Sequence, residues 1–178
     1  MHPSDGRVVL LVGVSHGEQD DCHSNLRRVE FEGYLVSGIV SVRADCVAEE
    51  YMPGVTKESI AERVACQMQL SYRCIEPDDE SMARAGCLTQ AELEQKLIDS
   101  ICLNTTQEEH QEMRDELVEQ RIPCRERLWL ENILQIGANW TTLFMVCGER
   151  HTESFSRVLL EAGIAPASLV PRWFTTAA

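Results

Sequence analysis

Short apolar runs alternate with amphipathic segments along most of this chain, the pattern of βαβ units built around a parallel sheet. Residues 7–13 (RVVLLVG) form a nearly unbroken apolar run, as expected of a strand covered on both faces. Residues 20–37 predict a helix of weak periodicity. Residues 44–50 (ADCVAEE) read as a second strand that ends in two carboxylates, Glu49 and Glu50. Thr56 can cap a helix that carries Ile60, Val64 and Met68 at i, i+4 and i+8. Residues 72–75 form a third strand, followed at once by the polar cluster 76–80.

Between 81 and 122 the alternation breaks. Thr89 with Glu92, and Thr106 with Glu109, each fit a capping box, so two helices are predicted. The second, over 107–121, carries Glu108, Glu109, Glu112, Asp115, Glu116 and Glu119. It reads as a solvated face, or as a lid over a site. Pro123 predicts a restart, after which Trp129, Ile133 and Ile136 mark a further helix closed by Gly137. Residues 141–147 are the clearest strand of the second half. A helix over 151–162 follows, with Phe155, Val158, Leu159 and Ala162 on one face and Gly163 as its stop. Residues 167–174 could add a last strand, which Pro171 would place on an edge. The sum is a single α/β domain spanning 1–178. Its expected architecture is three-layer αβα, with a mostly parallel central sheet of about four or five strands and a largely helical insertion around 79–137.

Composition narrows the partners. A chain of 178 residues is long enough for one domain with a real core. Its net charge of −13 would repel a phosphate backbone, so nucleic acid is not an expected partner. No stretch approaches the roughly 20 apolar residues of a spanning helix, and residues 1–7 lack a signal-peptide core. A cytoplasmic protein with no membrane partner is the default expectation, and self-association into a homo-oligomer is compatible with it. The eight cysteines are scattered, with no C-x-x-C pair. Cys46, Cys66, Cys74 and Cys147 sit in apolar patterns and read as reduced, buried thiols.

Two Gly-x-x-His turns, Gly13–His16 and Gly148–His151, each follow directly on an apolar strand. Ligands of open α/β sheets bind at the carboxyl ends of the strands. A glycine there permits a sharp turn and a close ligand. Glu49 and Glu50 would share that rim, but strand side chains alternate, so only one of them can face the site. Two imidazoles and a carboxylate (His16, His151 and Glu49 as ligands) suit a divalent metal with open positions, which could activate water. Without metal, His16, His151, Glu49 and Glu50 could work as general acid and base. Arg125, Arg127 and Trp129 could clamp a carboxylate or phosphate, or could simply pair with neighbouring acids. Asp78 could orient a histidine or cap the next helix. Cys147 could pair with His151 as a nucleophile, although burial is its simpler fate. His23 and His110 read as surface residues. No nucleotide cofactor is expected, because Gly13 is not followed by the further glycines of a dinucleotide fingerprint.

Taken in order, Gly13–His16, Glu49–Glu50, the segment from Arg125 to Asn132 and Gly148–His151 resemble the TraB/Tiki and erythromycin-esterase/ChaN-like superfamily. The resemblance implies a compact α/β domain with paired histidines and a glutamate around one pocket. Members of that group include metal-dependent proteases, esterases and haem-binding proteins, so the resemblance leaves the reaction open. The short chain, the lack of a membrane segment and the presence of Trp129 in the arginine motif depart from the membrane-linked and haem-import members. The expectation is therefore a metal-assisted, hydrolase-like protein acting on a small-molecule or peptide ligand. The alternative is a non-catalytic ligand-binding or regulatory module on the same scaffold.

Overall fold

The computed structural model describes residues 6–15, 25–51, 59–102, 106–137 and 139–169. Among the described residues five strands form one all-parallel sheet: β1 (Val8–Val14), β2 (Cys46–Glu49), β3 (Ser71–Cys74), β4 (Thr142–Gly148) and β5 (Ala165–Leu169). Their order is β3-β2-β4-β1-β5. Among the described residues there are six helices: α1 (Asn25–Val42), α2 (Ile60–Gln67), α3 (Asp79–Arg84), α4 (Gln90–Cys102), α5 (Gln107–Leu134) and α6 (His151–Glu161). The fold is thus the three-layer α/β class expected from the alternation of apolar runs. The chain forms two compact units, one of Met1–Glu76 with Leu130–Ala178 and the other of Pro77–Trp129.

The first unit holds the whole sheet. β1 and β4 lie side by side with Val14 opposite Gly148, and six of the seven residues in each are buried. Their sequences show no polar alternation because helices cover both faces. On one face, Leu10, Val12, Val14, Val47, Phe144 and Val146 pack with Phe31, Leu35 and Ile39 of α1 and Ile60, Ala61, Val64 and Ala65 of α2. The i, i+4, i+8 spacing of Phe31, Leu35 and Ile39 fixes which side of α1 is buried. Gly38 lets that helix settle onto the sheet, since a Cβ there would lie 2.8 Å from the Phe144 ring. On the opposite face, α6 packs against β1, β4 and β5, burying Phe155 and Leu159. β5 is an edge strand, which is why it can contain Pro166. The expected last strand begins at Ala165 rather than 167, and Pro171 lies outside the described residues.

Two expectations about helix ends need correction. The cap of α2 is Ser59, whose hydroxyl accepts from the Glu62 amide at 2.9 Å; Thr56 lies outside the described residues. In the second unit, Pro123 does not restart the chain, because α5 runs through it from Gln107 to Leu134. Pro123 and Glu119, whose carbonyl loses its helical partner, are both exposed, so water can take the place of the missing amide. Buried Leu117, Ile122 and Leu128 hold the helix on either side. Both capping boxes are present. Thr89 and Glu92 exchange bonds of 2.9 and 3.1 Å, and Thr106 and Glu109 exchange bonds of 2.7 and 3.2 Å. The six acidic residues of α5 named above are all exposed, a solvated face.

The cysteines divide. Cys46 and Cys147 are buried and Cys74 is half-buried, but Cys66 is exposed, contrary to its apolar setting in the sequence. Cys87 and Cys124 are paired as a disulfide within the second unit, with Cα atoms 6.1 Å apart. Nothing in the spacing of the cysteines suggested that pairing, since 37 positions separate the two.

Candidate functional site

The direction in which each connection leaves the sheet locates the candidate site. After β1 the chain passes to α1 on one face, and after β4 it passes to α6 on the other. β1 and β4 are neighbours, so their exits diverge at adjacent carboxyl ends. That divergence is a topological switch point, where open parallel sheets leave room for ligands. The glycines of both Gly-x-x-His segments lie here. Gly13 is still within β1 and pairs with Cys147, while Gly148 ends β4 opposite Val14. His16 itself lies outside the described residues, as does His23.

Gly13 serves a different purpose from the one expected. A Cβ there would lie 2.6 Å from Thr152 Cγ2 and 3.0 Å from Glu149 Cα. The glycine makes room for the first turn of α6 rather than for a ligand. The Glu149 amide also donates to the Val14 carbonyl at 3.1 Å, so the start of α6 is tied to the end of β1. This connection delivers His151, the first residue of α6, to the switch point with only 5% of its surface exposed.

Glu50 reaches the same place from β2. Its own amide continues the ladder by donating to Val146 at 2.9 Å. Its carboxylate then takes over where backbone pairing ends, and Oε2 accepts from the Gly148 amide at 2.7 Å. This bond turns the carboxylate toward the helix, placing Oε1 3.7 Å from His151 Nε2. The separation exceeds an ordinary hydrogen bond. It is close to the spacing of two donor atoms each about 2.1 Å from one shared ion.

Glu49, one residue earlier, points to the other face. It is fully buried and accepts from the Ser59 hydroxyl and, at 2.9 Å, from the Tyr72 hydroxyl. Burial first, and the Glu49 charge second, push the Tyr72 phenol well above its ordinary range and keep it a donor. The strict alternation of the strand therefore divides the two glutamates, with Glu50 beside His151 and Glu49 beside the α2 cap. Tyr72 and Ser59 are not among the site candidates that the sequence offers. Ser59 with Glu62 carries the Ser-x-x-Glu signature that could have found the cap.

The remaining candidates belong elsewhere. Asp78, Arg125, Arg127 and Trp129 lie in the second unit. Asp78 caps α3 by accepting from the Ser81 amide at 2.8 Å, and the Ser81 hydroxyl and amide together hold its carboxyl below the usual range. Arg125 lies over the buried Trp129 ring at 5.3 Å, a cation–π contact. Arg127 approaches the Ala85 carbonyl at 3.4 Å and the paired sulfurs of Cys87 and Cys124. Asn132, the asparagine downstream of the arginine motif, belongs to the first unit and donates to the Ile75 carbonyl at 2.9 Å just beyond β3. His110 is half-buried rather than a surface residue, with Nδ1 2.8 Å from the Ser100 hydroxyl. Cys147 is fully buried, in keeping with the simpler reading of that residue.

Fold and site together define a parallel α/β protein with a histidine–carboxylate pair at its switch point. No protein-family model, curated protein or solved structure matches the chain. Among the described residues, no group of three or more histidine, cysteine or carboxylate side chains is placed to hold a metal. Nor is any helix among them long and apolar enough to cross a membrane.

Proposed function

We propose that this is a metal-assisted, hydrolase-like protein with a centre formed by His151 and Glu50 at the switch point between β1 and β4. The observation that carries the reading is the pose of Glu50. One carboxylate oxygen is held by a backbone amide, and the other stands 3.7 Å from an imidazole nitrogen. A divalent ion held by these two groups, with His16 as the expected third ligand, would supply an activated water for attack on a carbonyl or phosphoryl centre. The protein's own part is positional. The Gly148 amide orients Glu50, the close packing of α6 on Gly13 fixes the backbone of His151, and their burial excludes bulk water. A small-molecule or peptide ligand would enter from the carboxyl ends of the strands, where the two connections diverge.

Metal analysis of the purified protein, followed by titration with zinc and manganese, tests this reading. The wild type should bind one ion, and Glu50→Gln or His151→Asn should weaken binding at least about tenfold. Circular dichroism should show that both variants remain folded. The metal-loaded wild type should hydrolyse some member of a panel of esters, peptides and phosphate esters, and both variants should lose that turnover. Absence of metal binding, or binding unaffected by either substitution, overturns the proposal. Binding without turnover would support the non-catalytic module instead.

A further inference from the structure

The arginine pair predicted as an anion clamp is only partly accounted for by Arg125, which stacks on Trp129. Arg127, exposed and three residues beyond Cys124 on α5, has a separate set of neighbours. One of its nitrogens lies 3.5 Å from Cys124 Sγ, 3.9 Å from Cys87 Sγ and 3.4 Å from the Ala85 carbonyl. Both cysteines are half-buried, so a small reagent can reach them. A guanidinium beside a sulfur stabilises its thiolate, which is the species that attacks disulfides and is also the better leaving group. Cys87 has a different local partner, the Ala85 carbonyl at 3.6 Å, which suits a protonated thiol.

We propose that Cys87 and Cys124 form a reversible dithiol–disulfide centre, with Cys124 as its nucleophile and Arg127 as the residue that sets its reactivity. The oxidant is a low-molecular-weight disulfide of the glutathione class. The Cys124 thiolate attacks one sulfur of that disulfide, forming a mixed disulfide and expelling one glutathione thiolate. Cys87 then loses its proton and attacks Cys124 Sγ, forming the internal bond and expelling the second glutathione. Two protein thiols are oxidised and one glutathione disulfide is reduced to two thiols, so atoms and electrons balance. In its oxidised form the centre ties the turn that leads into the Thr89 capping box of α4 to the middle of α5. The redox state of the two sulfurs thereby adjusts how firmly the helical unit is closed.

The full chain, equilibrated in buffers of graded reduced-to-oxidised glutathione ratio and then alkylated, provides the test. Peptide mass analysis should find a Cys87–Cys124 link that appears and disappears reversibly with the ratio. Thiols that never pair in oxidised glutathione, or a link that no excess of reduced glutathione opens, overturn the proposal. Arg127 is tested separately in a Cys87→Ala background, by the rate at which iodoacetamide modifies Cys124 at pH 7. Loss of the guanidinium lowers the thiolate fraction more than it raises intrinsic nucleophilicity, so Arg127→Gln should slow the reaction about threefold. Equal rates would remove Arg127 from the centre. Since Arg127 is exposed, that variant should retain the wild-type helical signal.

Discussion

At the scale of single residues, Asp45 gives the clearest electrostatic prediction. Its carboxylate, just before β2, accepts from the Thr141 amide, the Thr141 hydroxyl and the Thr142 amide at 2.7 to 2.8 Å. These bonds, with the Thr142 amide foremost, hold its carboxyl below the usual range. A carboxyl depressed in the folded state contributes stability above its unfolded pKa and loses it as pH falls through the folded value. Asp45→Asn should therefore lower the urea midpoint at neutral pH, and the difference from wild type should shrink as both are titrated into acid. A difference that is constant across pH would mean the charge is immaterial. The neighbouring thiol shows the opposite influence: burial and the Asp45 charge push Cys46 up to about 11, so it stays protonated. Residue roles were only half legible in the sequence. Strand alternation showed that Glu49 and Glu50 must diverge, but not which faced the histidine. That choice depends on register, since Glu49 lies opposite Val146 on the α1/α2 side and Glu50 falls on the α6 side.

At the scale of elements, what was legible was local. The capping boxes at Thr89 and Thr106 could be read because their partners lie three residues apart. The central strands could be read because double-sided burial leaves an unbroken apolar run. Pro123 misled because its cost depends on a tertiary fact, the exposure of its face of α5. That cost should still be measurable. Pro123→Ala restores an amide for the Glu119 carbonyl without removing buried contacts. At fixed redox state it should stabilise the helical signal by about 1–3 kcal/mol, read from thermal melts followed by circular dichroism. An unchanged or lower melting temperature would show that the proline ring packs usefully where it stands. The disulfide was illegible for a related reason, because Cys87 and Cys124 are brought together only by the packing of two elements distant in sequence.

The whole molecule is governed by its charge. A net charge of −13 opposes compaction, and the exposed acids of α5 concentrate part of it on one helix. Screening should relieve that repulsion. Raising sodium chloride from about 0.02 to about 0.5 M shortens the Debye length severalfold and should raise the melting temperature by roughly 2–4 °C, equivalent to about 1 kcal/mol. A fall over the same range would mean that attractive ion pairs, such as Arg84–Glu80 and Arg157–Glu153, outweigh the net charge. At this scale the sequence was most informative about class, since the alternation of runs sufficed for a parallel α/β fold. It was least informative about strand order, which places β4 between β2 and β1.

That order has a consequence for synthesis on the ribosome. Within the described sheet the interior strand β1 pairs with β4 and β5, so its neighbours are translated long after it. At about 5–20 residues per second, β1 waits on the order of ten seconds as an apolar ribbon with both edges open. During that interval the pairing of β2 with β3 is the sheet contact available to the nascent chain. Vectorial emergence therefore leaves the most hydrophobic strand exposed longest, and the polypeptide should be a client for holdase chaperones until Gly148 has cleared the exit tunnel.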